Sequence, residues 1–124
     1  MTAGRNAGRR RTLRLPVHRD GSLSGRQPRP VELLDLSLSG CLVRCDVPLD
    51  AGRILDLELR LDEPLHAKVK VTNTCLDGAV ASGQARRFLA GLEFLGLSAR
   101  EQAGLRRFLE DERRRRRSAD AAAL

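Results

Sequence analysis

Apolar and polar side chains alternate over most of the middle of the chain, which is the pattern of strands that bury one face and expose the other. The alternation predicts strands over residues 31–36, 41–45, 54–61, 66–75 and 87–94. Glycine, proline, aspartate and serine residues lie between these segments and supply turns. Short strands separated by turns favour a mainly β fold, in the form of a small antiparallel barrel.

One more strand is predicted near the N-terminus. Residues 13–17 alternate weakly, so this first strand is expected to be short. The turn formers of residues 20–25, followed by Pro28 and Pro30, predict a loop between the first strand and the next. The chain is therefore expected to form about five or six strands.

The last part of the chain has the pattern of a helix. Ser98 and Glu101 form a capping box, in which each side chain accepts a hydrogen bond from the other residue's backbone amide. The apolar residues that follow at helical spacing, and that predict packing against the barrel, are Leu105, Phe108 and Leu109. The arginines of residues 113–117 indicate a solvated helix end, with an interaction surface as the alternative.

The length of 124 residues is enough for one compact domain but not for two. We predict a flexible basic arm over residues 1–9, the folded domain over residues 10–112 and a basic, alanine-rich tail over residues 113–124. The sequence has no run of about 18 apolar residues, and its arginine-rich N-terminus lacks the apolar stretch of a secretory signal. We therefore expect a cytoplasmic protein without membrane insertion.

The net charge of +7 is distributed unevenly along the chain. Residues 1–30 carry eight arginines and one aspartate, residues 31–112 have a net charge of −4, and residues 113–124 carry five arginines and one aspartate. The basic charge therefore lies at the two ends, and the folded middle is acidic. This distribution favours an anionic ligand held by a terminal arm over a broad nucleic-acid-binding face.

The chain has three cysteines, Cys41, Cys45 and Cys75. Cys41 and Cys45 fall in one predicted strand, where a separation of roughly 13 Å precludes a disulfide between them. We expect all three to be buried thiols that pack as small hydrophobic side chains.

Two short motifs carry the functional signal. The first is R-x-x-x-R, formed by Arg10 and Arg14, and the second is D-x-S-x-x-G, formed by Asp35, Ser37 and Gly40 at the end of a predicted strand. The last predicted strand also contains a G-x-x-F pattern at residues 91–94. Together with this pattern and the order of the predicted elements, the two motifs resemble the PilZ domain over about residues 9–112. The resemblance implies a six-stranded antiparallel β-barrel with a C-terminal α-helix.

The PilZ resemblance also implies a ligand, cyclic di-GMP, with one or two molecules bound per protomer. It implies a receptor without catalytic activity and without a cofactor. Arg10 and Arg14 would be the principal ligand arginines, and Arg9 would be an auxiliary one. The complete set of implied ligand residues is Arg9, Arg10, Arg14, Asp35, Ser37 and Gly40.

These residue types suit that ligand chemically. A guanidinium can hold phosphate oxygens in a bidentate manner, or donate to guanine O6 and N7. An ionised Asp35 can accept from guanine N1 and N2, Ser37 can donate or accept beside it, and Gly40 allows a close approach or a positive φ. The chain has no Tyr or Trp and only three phenylalanines, which fit core positions, so stacking on the bases falls to arginine.

Other classes of function have less support. Neither His18 nor His66 lies in a nucleophile-and-base pattern, and metal-binding motifs are absent from the sequence, which argues against an enzyme and against a metal site. A small nucleic-acid-binding barrel is one alternative, although an aromatic stacking platform is lacking. A PilZ-like adaptor that contacts only proteins is the other.

The receptor hypothesis includes a change of conformation. We expect cyclic di-GMP to draw residues 5–14 onto the barrel near Asp35 and Ser37, at the cost of the entropy lost when the arm becomes ordered. The new surface would be recognised by a protein effector, which the sequence does not identify.

Overall fold

The computed structural model describes residues 14–78 and 86–123. These residues form six strands followed by one helix. The strands are β1 (Leu15–Ser24), β2 (Pro28–Leu36), β3 (Gly40–Cys45), β4 (Ile54–Arg60), β5 (Pro64–Leu76) and β6 (Phe88–Leu95), and the helix is α1 (Ala99–Ala123). The predicted arm of residues 1–9 lies outside the described residues.

The strands close into a barrel in the order β1-β2-β3-β6-β5-β4, and every neighbouring pair is antiparallel. The predicted small six-stranded antiparallel barrel with a C-terminal helix is therefore confirmed. Alternate side chains of the strands point inward and form a core made mostly of leucine and valine. Core residues with no exposed surface include Leu33, Val43, Leu59, Val69 and Val71.

Strand β1 is longer than predicted. We expected a loop over residues 20–25 because of their turn formers, but β1 continues to Ser24 and closes the barrel against β4. Gly21 makes this closure possible, because a Cβ atom there would lie 2.7 Å from the carbonyl oxygen of Glu58. The small residues therefore mark a close contact between strands, and the turn itself is limited to residues 25–27.

Helix α1 begins with the predicted capping box. The Glu101 amide donates to Ser98 Oγ at 3.1 Å, and the Ser98 amide donates to Glu101 Oε1 at 3.0 Å. The predicted apolar face is confirmed as buried at Leu105, Phe108 and Leu109. The helix continues through the segment that we separated as a tail, as far as Ala123, because arginine and alanine are strong helix formers and no glycine or proline interrupts them.

Strand β5 contains a bulge that reverses the orientation of its last residues. Its pairing with β6 shifts between Val71 and Asn73. Such a bulge exchanges the inward and outward faces of a strand. Cys75 lies beyond the bulge and is exposed, so the prediction of buried thiols is wrong for Cys75 and is confirmed for Cys41 and Cys45.

Candidate functional site

The turn between β2 and β3 carries the D-x-S-x-x-G motif and is held together by the Ser37 hydroxyl. Ser37 has no exposed surface. Its Oγ accepts from the backbone amides of Ser39 and Gly40, each at 3.2 Å, and donates to the Gly40 carbonyl oxygen at 3.1 Å. The Ser37 amide donates to the same carbonyl at 2.9 Å. The hydrogen-bonding capacity of this hydroxyl is therefore used by the turn itself.

Gly40 is required by the close packing of β3 against β6. A Cβ atom at this position would lie 2.1 Å from the carbonyl oxygen of Leu92, far inside contact distance. Among the described residues, positive φ occurs at Gly52 and Gly96 and not at Gly40. Of the two roles that we predicted for Gly40, the structure shows the close approach, and the approaching group is the backbone of β6.

The two sequence motifs meet in an ion pair on the outside of the barrel. Arg14 Nη1 lies 3.2 Å from Asp35 Oδ1, across a sequence separation of 21 residues. The Arg14 side chain is 59% exposed and the Asp35 side chain is 21% exposed. The guanidinium is therefore accessible from solvent, while neighbouring residues of the sheet cover most of the Asp35 side chain.

Asp35 belongs to a row of outward-facing positions that crosses five strands. Pro16 pairs with Asp35, Asp35 with Leu42, Leu42 with Gly91, and Gly91 with Asn73. Leu42 is half-buried, and the side chains of Asn73 and Thr72 cover Gly91. Asn73 Oδ1 accepts from the Gly91 amide at 3.1 Å, and Thr72 Oγ1 donates to the Gly91 carbonyl oxygen at 3.1 Å. The row thus joins a carboxylate to an apolar side chain and then to an amide and a hydroxyl.

The C-terminal part of α1 holds β1 beside the ion pair. The Arg116 guanidinium donates to the carbonyl oxygen of Pro16, the cross-strand neighbour of the ion-paired aspartate. One turn of helix earlier, Glu112 Oε1 lies 3.3 Å from Arg19 Nη2. Sequence reasoning did not assign any of these three side chains to the site. The arginine run at residues 113–117 was the available signal, but only the docked helix shows which strand it reaches.

Cys41 lies on the barrel interior behind the ion pair. The pKa of its thiol is raised to about 12, chiefly by burial and then by the carboxylate of Asp35, while the guanidinium of Arg14 acts in the opposite direction. Because the thiolate is the reactive form of cysteine, this thiol is inert near neutral pH.

Four of the six predicted ligand residues lie within the described part of the chain. Arg14 and Asp35 are in contact and accessible, whereas the serine and the glycine of the second motif hold the turn that positions Asp35. Arg9 and Arg10 lie outside the described residues. Ligand contact by any of the six stays a prediction.

The two histidines lie on the barrel surface, each near a glutamate. His18 Nδ1 is 3.9 Å from Glu32, and His66 Nε2 is 3.4 Å from Glu58. Over residues 14–78 and 86–123, no cluster of at least three His, Cys, Asp or Glu side chains is placed to hold a metal ion. In the same two ranges, no helix combines the length and the apolar character needed to cross a membrane.

Comparison with protein families identifies this barrel and its motifs. The family model of the PilZ domain matches residues 8–111. The chain belongs to the PilZ domain family. The matched range includes Arg9 and both arginines of the R-x-x-x-R motif, the D-x-S-x-x-G turn, the whole barrel and the first half of α1. No curated protein sequence matches the chain.

Solved structures of PilZ proteins have the same fold. The PilZ domain of YcgR from Escherichia coli, solved with c-di-GMP, has a TM-score of 0.74 at 19% identity, over 90% of this chain and 98% of that one. MrkH of K. pneumonia in complex with c-di-GMP has a TM-score of 0.71 at 16% identity, over 88% of this chain and 54% of that one. The inhibitor of motility MotI (DgrA) of Bacillus subtilis has a TM-score of 0.68 at 19% identity, over 84% of this chain.

These similarities establish the fold of the PilZ domain. The chain spans about half the length of MrkH and of MotI, 54% and 51% respectively. About half of each of those proteins therefore lies outside the region that aligns with this chain.

Proposed function

We propose that this PilZ domain is a receptor for cyclic di-GMP and that it binds the ligand on the outer barrel surface at Arg14 and Asp35. The observation that carries the proposal is the contact between these two side chains, 3.2 Å apart, where the two family motifs meet. The likeness to YcgR and MrkH, both solved with c-di-GMP, supports the choice of ligand.

The ion pair is complementary to the edges of guanine. The guanidinium of Arg14 can donate to guanine O6 and N7 or to a phosphodiester, and the carboxylate of Asp35 can accept from N1 and N2. An exposed ion pair stabilises a fold by at most about 1 kcal/mol. A hydrogen bond to a charged group contributes about 1.5–3 kcal/mol, so contacts with the ligand can replace the Arg14–Asp35 contact at little cost.

The half-buried Leu42 is the cross-strand neighbour of Asp35, and one face of a purine ring can pack on it with the polar edge of the ring directed at the carboxylate. Farther along the row, the side chains of Asn73 and Thr72 cover Gly91, so this part of the surface offers an amide and a hydroxyl. Because the chain lacks Tyr and Trp, arginine side chains of the arm would cover the opposite face of the base.

Residues 5–14, which join the arm to the first strand, complete the site, and their ordering is the signal that the domain transmits. Arg9 and Arg10 lie close to Arg14 in the sequence, so the two phosphodiester charges of the ligand would draw residues 5–14 onto the barrel near Asp35 and Ser37. The ordered arm, with one or two bound ligand molecules, forms a surface that a protein effector recognises. The domain acts in the cytoplasm, without catalysis and without a cofactor.

Isothermal titration calorimetry of the full chain with cyclic di-GMP tests the proposal. We expect saturable binding, with cyclic di-AMP at least about tenfold weaker, because adenine lacks N2 and exchanges the acceptor at position 6 for a donor. A labelled single-stranded oligonucleotide is titrated in parallel. Binding of the oligonucleotide without binding of cyclic di-GMP would favour a nucleic-acid-binding barrel, and binding of neither would favour an adaptor that contacts only proteins.

A further inference from the structure

A cavity lies at the end of the barrel opposite the Arg14–Asp35 pair. It has a volume of about 440 Å³ and is bordered by the turn between β1 and β2 and by the loop between β3 and β4. This volume falls within the range of about 300–1,000 Å³ that is usual for small-molecule sites, and barrel mouths are a common place for them. The candidate cyclic di-GMP surface contributes none of its residues to this cavity.

The floor of the cavity is apolar. Leu23, Val31, Leu49 and Leu55 belong to the hydrophobic core, are each between 4% and 6% exposed, and reach the cavity from three strands and one loop. The β3–β4 loop adds further apolar surface at Val47. An apolar group of a ligand would therefore contact core side chains and be removed from water.

The rim of the cavity is positively charged. Arg26, Arg29 and Arg53 line it, and the described residues that border it include no carboxylate. Arg29 contacts the exposed carboxylate of Asp46 at 3.8 Å, the outer limit for an ion pair. Within the described part of the chain, Arg26 and Arg53 take part in no ion pair, so their guanidinium groups are available to an anion.

Arg53 is held in place by backbone geometry. Gly52 adopts a φ of 88°, which favours glycine, and its amide donates to the carbonyl of Val71 at 2.7 Å. The Val71 amide in turn donates to the carbonyl of Arg53 at 2.9 Å. The guanidinium extends toward Gly25, where a Cβ atom would lie only 2.7 Å from Nη2. The Arg53 guanidinium therefore occupies space that a side chain at residue 25 would otherwise fill.

The charge of this cavity differs from that of its surroundings. Residues 31–112 have a net charge of −4, which disfavours anions over most of the barrel. The smaller cavity between α1 and the β4–β5 turn, about 180 Å³, is lined by both acidic and basic side chains and has no clear charge preference. Among the described residues, an apolar floor bordered by two guanidinium groups without an ion-pair partner, those of Arg26 and Arg53, is found at the barrel mouth.

We propose that this barrel mouth binds a small organic anion that joins one carboxylate or phosphate group to a compact apolar body. The anionic group contacts Arg26 and Arg53, and the apolar body covers Leu49 and Leu55. A guanidinium recognises either anionic group through paired hydrogen bonds. The site is separate from the proposed cyclic di-GMP site and does not depend on it.

Calorimetric titrations of the full chain with octanoate, phenyl phosphate and inorganic phosphate test this site. At least one of the two amphiphilic anions is expected to bind at a ratio of about one per chain and at least about tenfold more tightly than inorganic phosphate, because only the amphiphiles reach the apolar floor. The stronger of octanoate and phenyl phosphate identifies which combination of anionic group and apolar body the cavity prefers. Saturable binding of neither, or equal binding of inorganic phosphate, overturns the proposal.

Variants test whether the amphiphilic anion binds at the barrel mouth. The double variant Arg26→Gln/Arg53→Gln is expected to weaken the amphiphile by at least about tenfold, since it removes both unpaired guanidinium groups. Arg106→Gln, an exposed position on α1, serves as the matched control and should change the affinity by less than about twofold. Equal affinity in the double variant and the wild type overturns the proposal. Cyclic di-GMP affinity should be the same in all three proteins, which separates this site from the proposed receptor function.

Discussion

The Arg14 guanidinium and the Asp35 carboxylate lie 3.2 Å apart on the outside of the barrel, although one precedes β1 and the other is near the end of β2. The contact exists because β1 and β2 are antiparallel, and Pro16, two residues after Arg14, pairs directly with Asp35. The two motifs therefore form one surface. That surface presents hydrogen-bond donors and acceptors side by side.

Removing either partner of this pair is expected to weaken cyclic di-GMP binding. Each of Arg14→Ala and Asp35→Ala removes at least one charged hydrogen bond to the ligand, so the Kd should rise at least about tenfold. Arg10→Ala, at the other arginine of the R-x-x-x-R motif, should have a comparable effect. Arg106→Ala on the exposed face of α1 is the control. Calorimetry should show the loss in all three site variants, and unchanged affinity in all three would refute the site.

Loss of the Ser37 hydroxyl is expected to destabilise the fold. In Ser37→Ala the amides of Ser39 and of the buried Gly40 lose the oxygen that accepts from them at 3.2 Å. An unsatisfied buried group costs about 1–3 kcal/mol, and the free energy of unfolding in urea should fall by that amount. Ser39→Ala, at an exposed position, removes the 3.2 Å hydrogen bond between the Ser39 and Ser37 hydroxyls but leaves both amides bonded to Ser37 Oγ, so it should cost less than about 1 kcal/mol. Equal costs for the two variants would contradict the role given to Ser37.

Two glycine substitutions are expected to have opposite effects on stability. Gly40→Ala would place a Cβ atom 2.1 Å from the Leu92 carbonyl oxygen, so β3 and β6 must separate locally. We expect a loss of at least about 2 kcal/mol in the free energy of unfolding. Gly104→Ala lies within α1 where a Cβ atom meets nothing within 4 Å, and it should stabilise the protein by up to about 1 kcal/mol. Thermal unfolding that ranks the two variants in the reverse order would disprove this.

Docking of α1 on β1 is expected to depend on the pair formed by Arg19 and Glu112. The Glu112 side chain is only 14% exposed and lies 3.3 Å from Arg19, whose guanidinium is also 5.6 Å from the centre of the Phe108 ring. A double-mutant cycle with Arg19→Gln and Glu112→Gln should give a coupling energy of about 1 kcal/mol in urea unfolding. Glu110→Gln, at an exposed position, controls for loss of a helix charge. Additive single effects would show that the contact does not stabilise the docked helix.

The cysteines are expected to differ in reactivity. Burial raises the pKa of Cys41 to about 12 and raises that of Cys45, whereas Cys75 is exposed. At about pH 8, iodoacetamide should modify Cys75 in the folded protein well before the other two, as peptide mass spectrometry can show. Modification of all three at one rate in folded protein would contradict the burial of Cys41 and Cys45.

The raised pKa of Cys41 also predicts a dependence of stability on pH. The folded protein keeps the Cys41 proton to about pH 12, while the unfolded chain loses it near its ordinary value of 9.0. The stabilisation is therefore complete below that ordinary value and is lost as the pH rises toward the folded value. In Cys41→Ala, the fall of the unfolding free energy above about pH 9 should be shallower. An identical slope in the variant would argue against this effect.

Much of the fold was predictable because its signals are local. The alternation in residues 54–61 and 66–75 predicts β4 and most of β5, since inward and outward positions are set by the period of a strand. The capping box of Ser98 and Glu101 marks the start of α1, since its hydrogen bonds join residues three apart. The D-x-S-x-x-G motif also marks the turn after β2 correctly.

The errors arise where a distant segment decides the structure. Gly21 and its neighbours indicate a turn when only adjacent residues are considered, but they form the strand that closes the barrel against β4. Cys75 follows the alternation of β5, but the bulge after Val71 turns it outward. Neither the closing contact nor the bulge can be seen without the partner strand.

The sequence by itself determined which segments from residue 31 onward are strands, where the helix starts and which side chains carry the chemistry of the two motifs, because each of these depends on residues a few positions apart. Only the tertiary structure decided that Arg14 contacts Asp35 and that the Ser37 hydroxyl faces inward and holds the turn. It also decided that Arg116 reaches the carbonyl of Pro16. These relationships depend on which strands pair, in which register, and on where the helix docks.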